Sequence, residues 1–258
     1  MRTRRLVVAM PKGGSGKTAT ATALAWGFQR MGRRVLLIDL DPQGNASAAM
    51  GVAPGREYRS LEFLLHPDIP FAPATVAEGL DVVPASSWRS GLDLEVQKAN
   101  QLTGPVTLRE AIDRLQGAYE YVFVDCAPSL GPVTYNALAA GPILAPVEAT
   151  RLAVSVLPEL DRVVATLRRS VAPAATVIGY LPTLCVERLS ESREALRALE
   201  AMEGSRVLRA RVPFATAIAR SLAEARSPFS RPYRHSKGPK AYLHVVEEIR
   251  TLLEEHHE

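Results

Sequence analysis

The stretch Leu6-Val7-Val8-Ala9-Met10-Pro11-Lys12-Gly13-Gly14-Ser15-Gly16-Lys17-Thr18 decides how this chain is read, and a helix is expected over Thr18–Met31 directly after it. Five apolar residues suit a strand buried on both faces. The glycines let backbone N–H groups converge on an oxyanion, and the following helix aims its positive dipole end at the same point. Lys17 is then placed to reach the β- and γ-phosphates of a nucleotide, and the Thr18 hydroxyl to ligate Mg2+. The order strand, loop, helix separates a phosphate-binding loop from an ordinary glycine-rich turn.

Outward from this loop, short apolar runs alternate with helix-like segments. Strands are expected at Leu6–Met10, Val35–Asp39, Leu80–Pro84, Tyr121–Asp125, Ile143–Val147, Thr176–Leu181 and Arg206–Val212. Helices are expected at Thr18–Met31, Thr107–Gln116, Val154–Arg169, Ser190–Met202 and Ala241–Glu255, with an irregular excursion from Gly51 to Pro73. The pattern predicts an α/β fold, a doubly wound and mostly parallel sheet with helices on both faces. Two strands end in acids. Asp39 and Asp41 follow Val35–Ile38, and Asp125 follows the apolar run Tyr121–Val124. The carboxyl ends of parallel strands are where open α/β sheets bind ligands, and Asp125 is placed to support Mg2+ beside Thr18.

Composition removes several other classes. The chain has 258 residues, 47% of them hydrophobic, which excludes a disordered polymer and allows a sizeable core. No apolar run approaches the roughly 18 residues of a membrane span. Cys126 and Cys185 are too few and too far apart for a disulfide framework or a metal cluster, which fits a reducing cytoplasm. The net charge of +4 is unevenly spread. Between Gly204 and Lys240, seven Arg and two Lys face the single acid Glu224, a local net of +8. A segregated basic segment is the electrostatic footprint of a nucleic-acid surface. Only five lysines occur, Lys12, Lys17, Lys98, Lys237 and Lys240, and two of them lie in the loop.

The loop has Pro11 where a general phosphate loop carries its first glycine, and Lys12 ahead of the paired glycines. Lys-Gly-Gly-Ser-Gly-Lys-Thr resembles the deviant Walker A motif of the ParA/MinD family of P-loop ATPases. Asp39-Leu-Asp41-Pro-Gln-Gly-Asn45 is similar to the D-x-D-P-Q-G-N segment of ParA-type partition ATPases, and Asp125-Cys-Ala-Pro-Ser-Leu130 to their D-x-P-P-S-L. Ser221-Leu-Ala-Glu-Ala225 resembles the family's L-A-E-A helix, and Gly238-Pro-Lys-Ala-Tyr242 the opening of its last helix. The likeness covers nearly the whole chain. Two departures stand out: Ala19 replaces a second Thr, so that either Thr20 supplies the hydroxyl instead or one bond to the α-phosphate is missing, and Leu152-Ala-Val-Ser155 replaces an A-L-E-G motif.

The resemblance implies one P-loop ATPase domain over residues 1–258, with the basic segment 204–240 as its DNA-binding surface. It implies ATP and Mg2+ as cofactors. Lys12, Gly13, Gly14, Ser15, Gly16, Lys17, Thr18 and Ala19 would cradle the phosphates, and Thr183 and Pro213 would flank the adenine. Thr18, Asp39 and Asp125 would serve the metal, and Asp41 the attacking water. Lys12 would reach across an ATP-bound homodimer to the partner's phosphates, as an arginine finger in trans does. Arg220, Arg226, Arg231, Arg234, Lys237 and Lys240 would bind double-stranded DNA without sequence preference. A cargo-bound, ParB-like protein would stimulate hydrolysis, in a cytoplasmic, nucleoid-associated setting. The rival in the same family is a membrane-associated, MinD-like positioning ATPase. The mostly acidic polar face of the last helix speaks against it, because anionic lipid repels such a face.

Overall fold

A computed structural model describes residues 3–53, 71–85, 92–105 and 107–256, so most of the expected excursion between Gly51 and Pro73 lies outside it. The N-terminal half runs β1 (Arg4–Val8), α1 (Lys17–Arg30), β2 (Val35–Asp39), α2 (Asn45–Ala49), β3 (Ala74–Ala77) and β4 (Leu80–Val83). It continues with α3 (Leu92–Thr103), α4 (Thr107–Arg114), β5 (Tyr121–Asp125), α5 (Pro132–Ala140) and β6 (Ile143–Glu148). The remainder comprises α6 (Arg151–Ser155), α7 (Leu157–Ser170), β7 (Val177–Thr183), α8 (Ser190–Glu203), α9 (Thr216–Ala223) and α10 (Lys237–Glu255).

Among the described residues, seven strands form one sheet in the order β3-β4-β2-β5-β1-β6-β7, parallel except for the β3–β4 pair. Alternation along each central strand feeds two cores. Val7, Leu36, Ile38, Val122 and Val124 point to one face, where α4, α5, α6 and α7 cover them. Leu6, Val8, Leu37, Tyr121 and Phe123 point to the other, under α1 and α10. Those two helices approach closely: a Cβ on Gly27 would lie 2.3 Å from Val246 Cγ2.

Three expectations are corrected by the structure. Arg206–Val212 is not a strand. It opens with a 3-10 turn, Gly204–Arg206, and Tyr180–Val207 and Cys185–Pro213 are isolated bridges beside β7. The N–H groups of Arg209 and Ala210 donate instead to the Glu248 carboxylate on α10, at 2.9 and 3.0 Å, so they are not available to a ladder. The helix expected at Val154–Arg169 is two helices broken at Val156, where Pro158 sits in the first turn of the second. Proline lacks the N–H needed to continue the first helix and is accommodated at the start of the next. Ala74–Ala77, expected as part of no element, is an edge strand paired to β4 through the turn at Glu78-Gly79.

Candidate nucleotide site and basic segment

The site lies at the carboxyl edge of the sheet, between the ends of β1, β2, β5 and β7. Gly16 caps α1 with φ +86°, a left-handed conformation that suits glycine, and Gly14 has φ +74°. No heavy atom lies within 4 Å of where a Cβ on Gly13 or Gly14 would sit, so the loop backbone stands open to a ligand. Lys17 folds back over the loop, and its Nζ donates to the Lys12 carbonyl at 2.8 Å. Burial pushes the Lys17 ammonium below its ordinary range, opposed by the nearby Asp125, Cys126 and Asp41.

Parallel pairing of β2 with β5 sets Asp39 directly beside Asp125, and both are fully buried. Thr18 Oγ1 donates to Asp125 Oδ2 at 2.7 Å. Burial raises the Asp125 carboxyl well above the carboxylate range and Asp39 adds to the shift, while Thr18 and Lys17 oppose it. Asp39 is better served. Its Oδ1 accepts from the Asp41 N–H, and its Oδ2 from both the N–H and the hydroxyl of Ser47. Burial still pushes it up to about 6. Asp41 accepts the Gln43 N–H at 2.9 Å, which fixes the turn into α2.

The fit to a magnesium nucleotide can be judged from what the site leaves unmatched. Among the described residues, Asp125 Oδ1 and Ser15 Oγ are buried with no protein partner. Two adjoining buried carboxylates call for a cation, and an unpaired buried hydroxyl is costly unless a ligand engages it. Thr18 and Asp125 are the residues best placed to hold the metal, with Asp39 organising the strand end next to them. Thr183 Oγ1 donates to the Ser15 carbonyl at 2.8 Å, and its side chain lies against Gly16. Pro213 is bridged to Cys185, two residues past Thr183, which sets it beside the end of β7.

One expectation beside the loop comes out differently. Thr20 cannot replace the hydroxyl missing at Ala19, because its Oγ1 is buried against the Tyr242 hydroxyl at 3.1 Å, on the core side of α1. Arg220, Arg226, Arg231, Arg234, Lys237 and Lys240 are gathered in a separate region along α9, the following turns and the start of α10, and all six are exposed. Arg220 pairs with Glu224 at 3.5 Å, and Glu224 also accepts the Tyr233 hydroxyl. Lys98 is exposed on α3. Sequence reading missed Ser47, which holds Asp39, and Glu148, which pairs with Lys12. Glu148 ends β6 at the ligand-bearing edge of the sheet, and that position is the signal that could have found it.

A family model described as an AAA domain matches residues 3–177. The chromosome-partitioning ATPase Soj of Thermus thermophilus is 35% identical over 264 residues, 98% of this chain and 97% of its own length. The chromosome partitioning protein ParA of Caulobacter vibrioides is 33% identical over 257 residues, 95% of this chain and 93% of its own. Among solved structures, a cobyrinic acid a,c-diamide synthase from Mycobacterium smegmatis with bound ADP and magnesium superposes with a TM-score of 0.81 at 30% identity, covering 96% of this chain and 94% of that one. A phosphate loop with an added lysine, two buried strand-end acids and matches along nearly the full length agree, and the chain belongs to the ParA/Soj-type partition ATPases of the ParA/MinD P-loop family.

Proposed function

We propose that this ATPase forms an ATP-bound homodimer that binds double-stranded DNA without sequence preference and so segregates or positions DNA or another cargo. A cargo-bound, ParB-like partner stimulates its hydrolysis, and turnover returns it to a form that leaves DNA. The reading places it in the cytoplasm, on the nucleoid. Lys17 and the loop N–H groups hold the β- and γ-phosphates, while Asp41 orients the attacking water. Lys12 of each copy stabilises charge at the other copy's phosphates. Thr18 and Asp125 hold Mg2+, which neutralises charge on the phosphate oxygens.

The observation that carries the DNA reading is the link between the two regions. The Thr20–Tyr242 hydrogen bond ties the first turn of α1 to the first turns of α10, where Lys237 and Lys240 lie exposed. The helix that follows the phosphate loop and the helix that carries Lys237 and Lys240 are thus in direct contact, again where Gly27 packs on Val246. The helix α10 spends its apolar face on the core, through Tyr242, Val245, Val246, Ile249 and Leu253. That burial favours DNA over a MinD-like membrane role. Among the described residues, no helix is long and apolar enough to cross a membrane.

The test is DNA binding with ATP, with ADP and without nucleotide, across a salt series. Binding should require ATP, because dimerisation doubles the phosphate contacts, and its salt dependence should steepen by about 0.9 for each phosphate neutralised. Replacing Arg220 and Arg226 together with Ala should flatten that slope and leave nucleotide affinity intact. Equal binding in all three nucleotide states contradicts the proposal. ATP turnover that depends on a small carboxylic metabolite, and not on DNA, would point instead to a synthetase.

A further inference from the structure

Lys12 is already engaged within its own chain. Its Nζ is ion-paired with Oε2 of Glu148, the last residue of β6. The two side chains are 19% and 26% exposed, so the pair is partly withdrawn from solvent and less screened than a surface pair. At its other end, the Lys12 carbonyl accepts Lys17 Nζ. The residue thus joins the lysine of its own phosphate site to a carboxylate at the rim of the sheet. Beyond Glu148 the chain is held firmly. The Ala149 N–H donates to the Thr183 carbonyl at 3.0 Å, and the Thr150 hydroxyl caps α6. Glu148 is therefore a fixed counter-charge.

A carboxylate and a phosphate compete for the same ammonium. While Glu148 holds Lys12, that charge is neutralised and directed to its own rim. To meet the phosphates of a second copy, Lys12 must leave Glu148. We propose that Glu148 is the counter-ion that sets the threshold for dimerisation, holding Lys12 in cis until a second copy's triphosphate displaces it. The inference rests on the in-trans role of Lys12 proposed above. The γ-phosphate offers more negative charge than one carboxylate, and a diphosphate lacks that group. After hydrolysis and phosphate loss the ammonium returns to Glu148, which makes the exchange follow the nucleotide.

The experiment is sedimentation velocity over a protein concentration series, with a non-hydrolysable ATP analogue or with ADP. Glu148→Gln removes the charge and keeps an acceptor oxygen. A dimer releases two pairs, so a factor of about three per pair, within the range for partly exposed ion pairs, becomes about tenfold. The analogue-driven monomer–dimer midpoint of Glu148→Gln should fall by that amount. Glu148→Asp, which keeps the charge, should restore the wild-type midpoint, and binding of fluorescent ADP by each monomer confirms that it is folded. Lys12→Ala and the double variant Lys12→Ala/Glu148→Gln should both stay monomeric with the analogue, because Glu148 acts through Lys12; a dimer formed by the double variant alone would mean that Glu148 acts without Lys12 and would overturn the proposal. An unchanged or raised midpoint for Glu148→Gln overturns the counter-ion role, even where Lys12→Ala remains monomeric. Dimerisation of Lys12→Ala at the wild-type concentration is a different failure, because it removes the in-trans reading itself.

Discussion

The nucleotide edge and the basic segment place charge by opposite rules. At the edge, Lys17, Asp39, Asp41 and Asp125 are all buried, and their bonds run to named partners at fixed distances. Along residues 220–240 the six cations are exposed, and Glu224 is the only acid among them. Chemistry that must act on one atom needs direction, and direction requires burial with its cost in desolvation. Binding that rests on released counterions needs a count of charges more than their orientation. The first region should therefore fail sharply when one residue changes, and the second only by degrees.

The largest effect is expected at Lys17. Lys17→Ala removes the side chain proposed to reach two phosphates; with each charge-assisted hydrogen bond contributing about 1.5–3 kcal/mol, nucleotide affinity should fall at least about 100-fold. The fold should persist, because the protein bond lost is the one to the Lys12 carbonyl. Calorimetric titration with ATP and Mg2+ measures this, and a loss below tenfold would blur the contrast between the regions.

A second test reads the cost of burial directly. Asp39 sits at about 6 in the folded chain, against about 3.9 for an unfolded Asp, with burial the main cause. A raised acid favours the fold at low pH, and its contribution is lost as pH rises from about 4 through 6. At 1.36 kcal/mol per pKa unit this amounts to about 2–3 kcal/mol, and Asp125, also raised, acts in the same direction. In EDTA the protein should therefore be less stable at pH 8 than at pH 5. On the proposed reading Mg2+ is held by Asp125 in its ionised form, so it should raise the melting temperature more at pH 8 than at pH 5. Equal increments at both values would mean that the acids do not serve the metal.

The same contrast explains which parts of the molecule could be read in advance. Leu6–Thr18 and Tyr121–Asp125 carry their instructions locally: an apolar run, then the residue types the ligand needs, in chain order. Asp39 could be placed the same way, but not its dependence on Ser47, which lies on a separate helix. Glu148 and Lys12 are 136 residues apart, and only the adjacency of β1 and β6 brings them together. Arg206–Val212 has a strand's composition, but Glu248 from α10 takes two of its N–H groups. Thr20 next to Ala19 suggested a compensating hydroxyl, and the turn of α1 carries it away to Tyr242. In each of these a contact from another element overrides a local pattern, whereas the helix break at Val156 has a local cause in Pro158.

The smallest expected effect lies in the basic segment, and it separates the two rules most cleanly. Glu224 accepts the Tyr233 hydroxyl and pairs with Arg220, so it offsets part of the positive field exactly where α9 ends. Glu224→Gln raises the local net from +8 to +9 and keeps an acceptor for Tyr233. If charge count governs, DNA affinity in the ATP state should rise about two- to threefold at moderate salt, with the gain fading as salt is added. Hydrolysis without DNA should not change. The equivalent neutralisation at the other region, Asp125→Asn, also deletes one negative charge, yet there it should abolish turnover, because the lost charge had a fixed direction. A drop in DNA affinity for Glu224→Gln would mean that Arg220 needs Glu224 to aim it, and that the basic segment also depends on geometry.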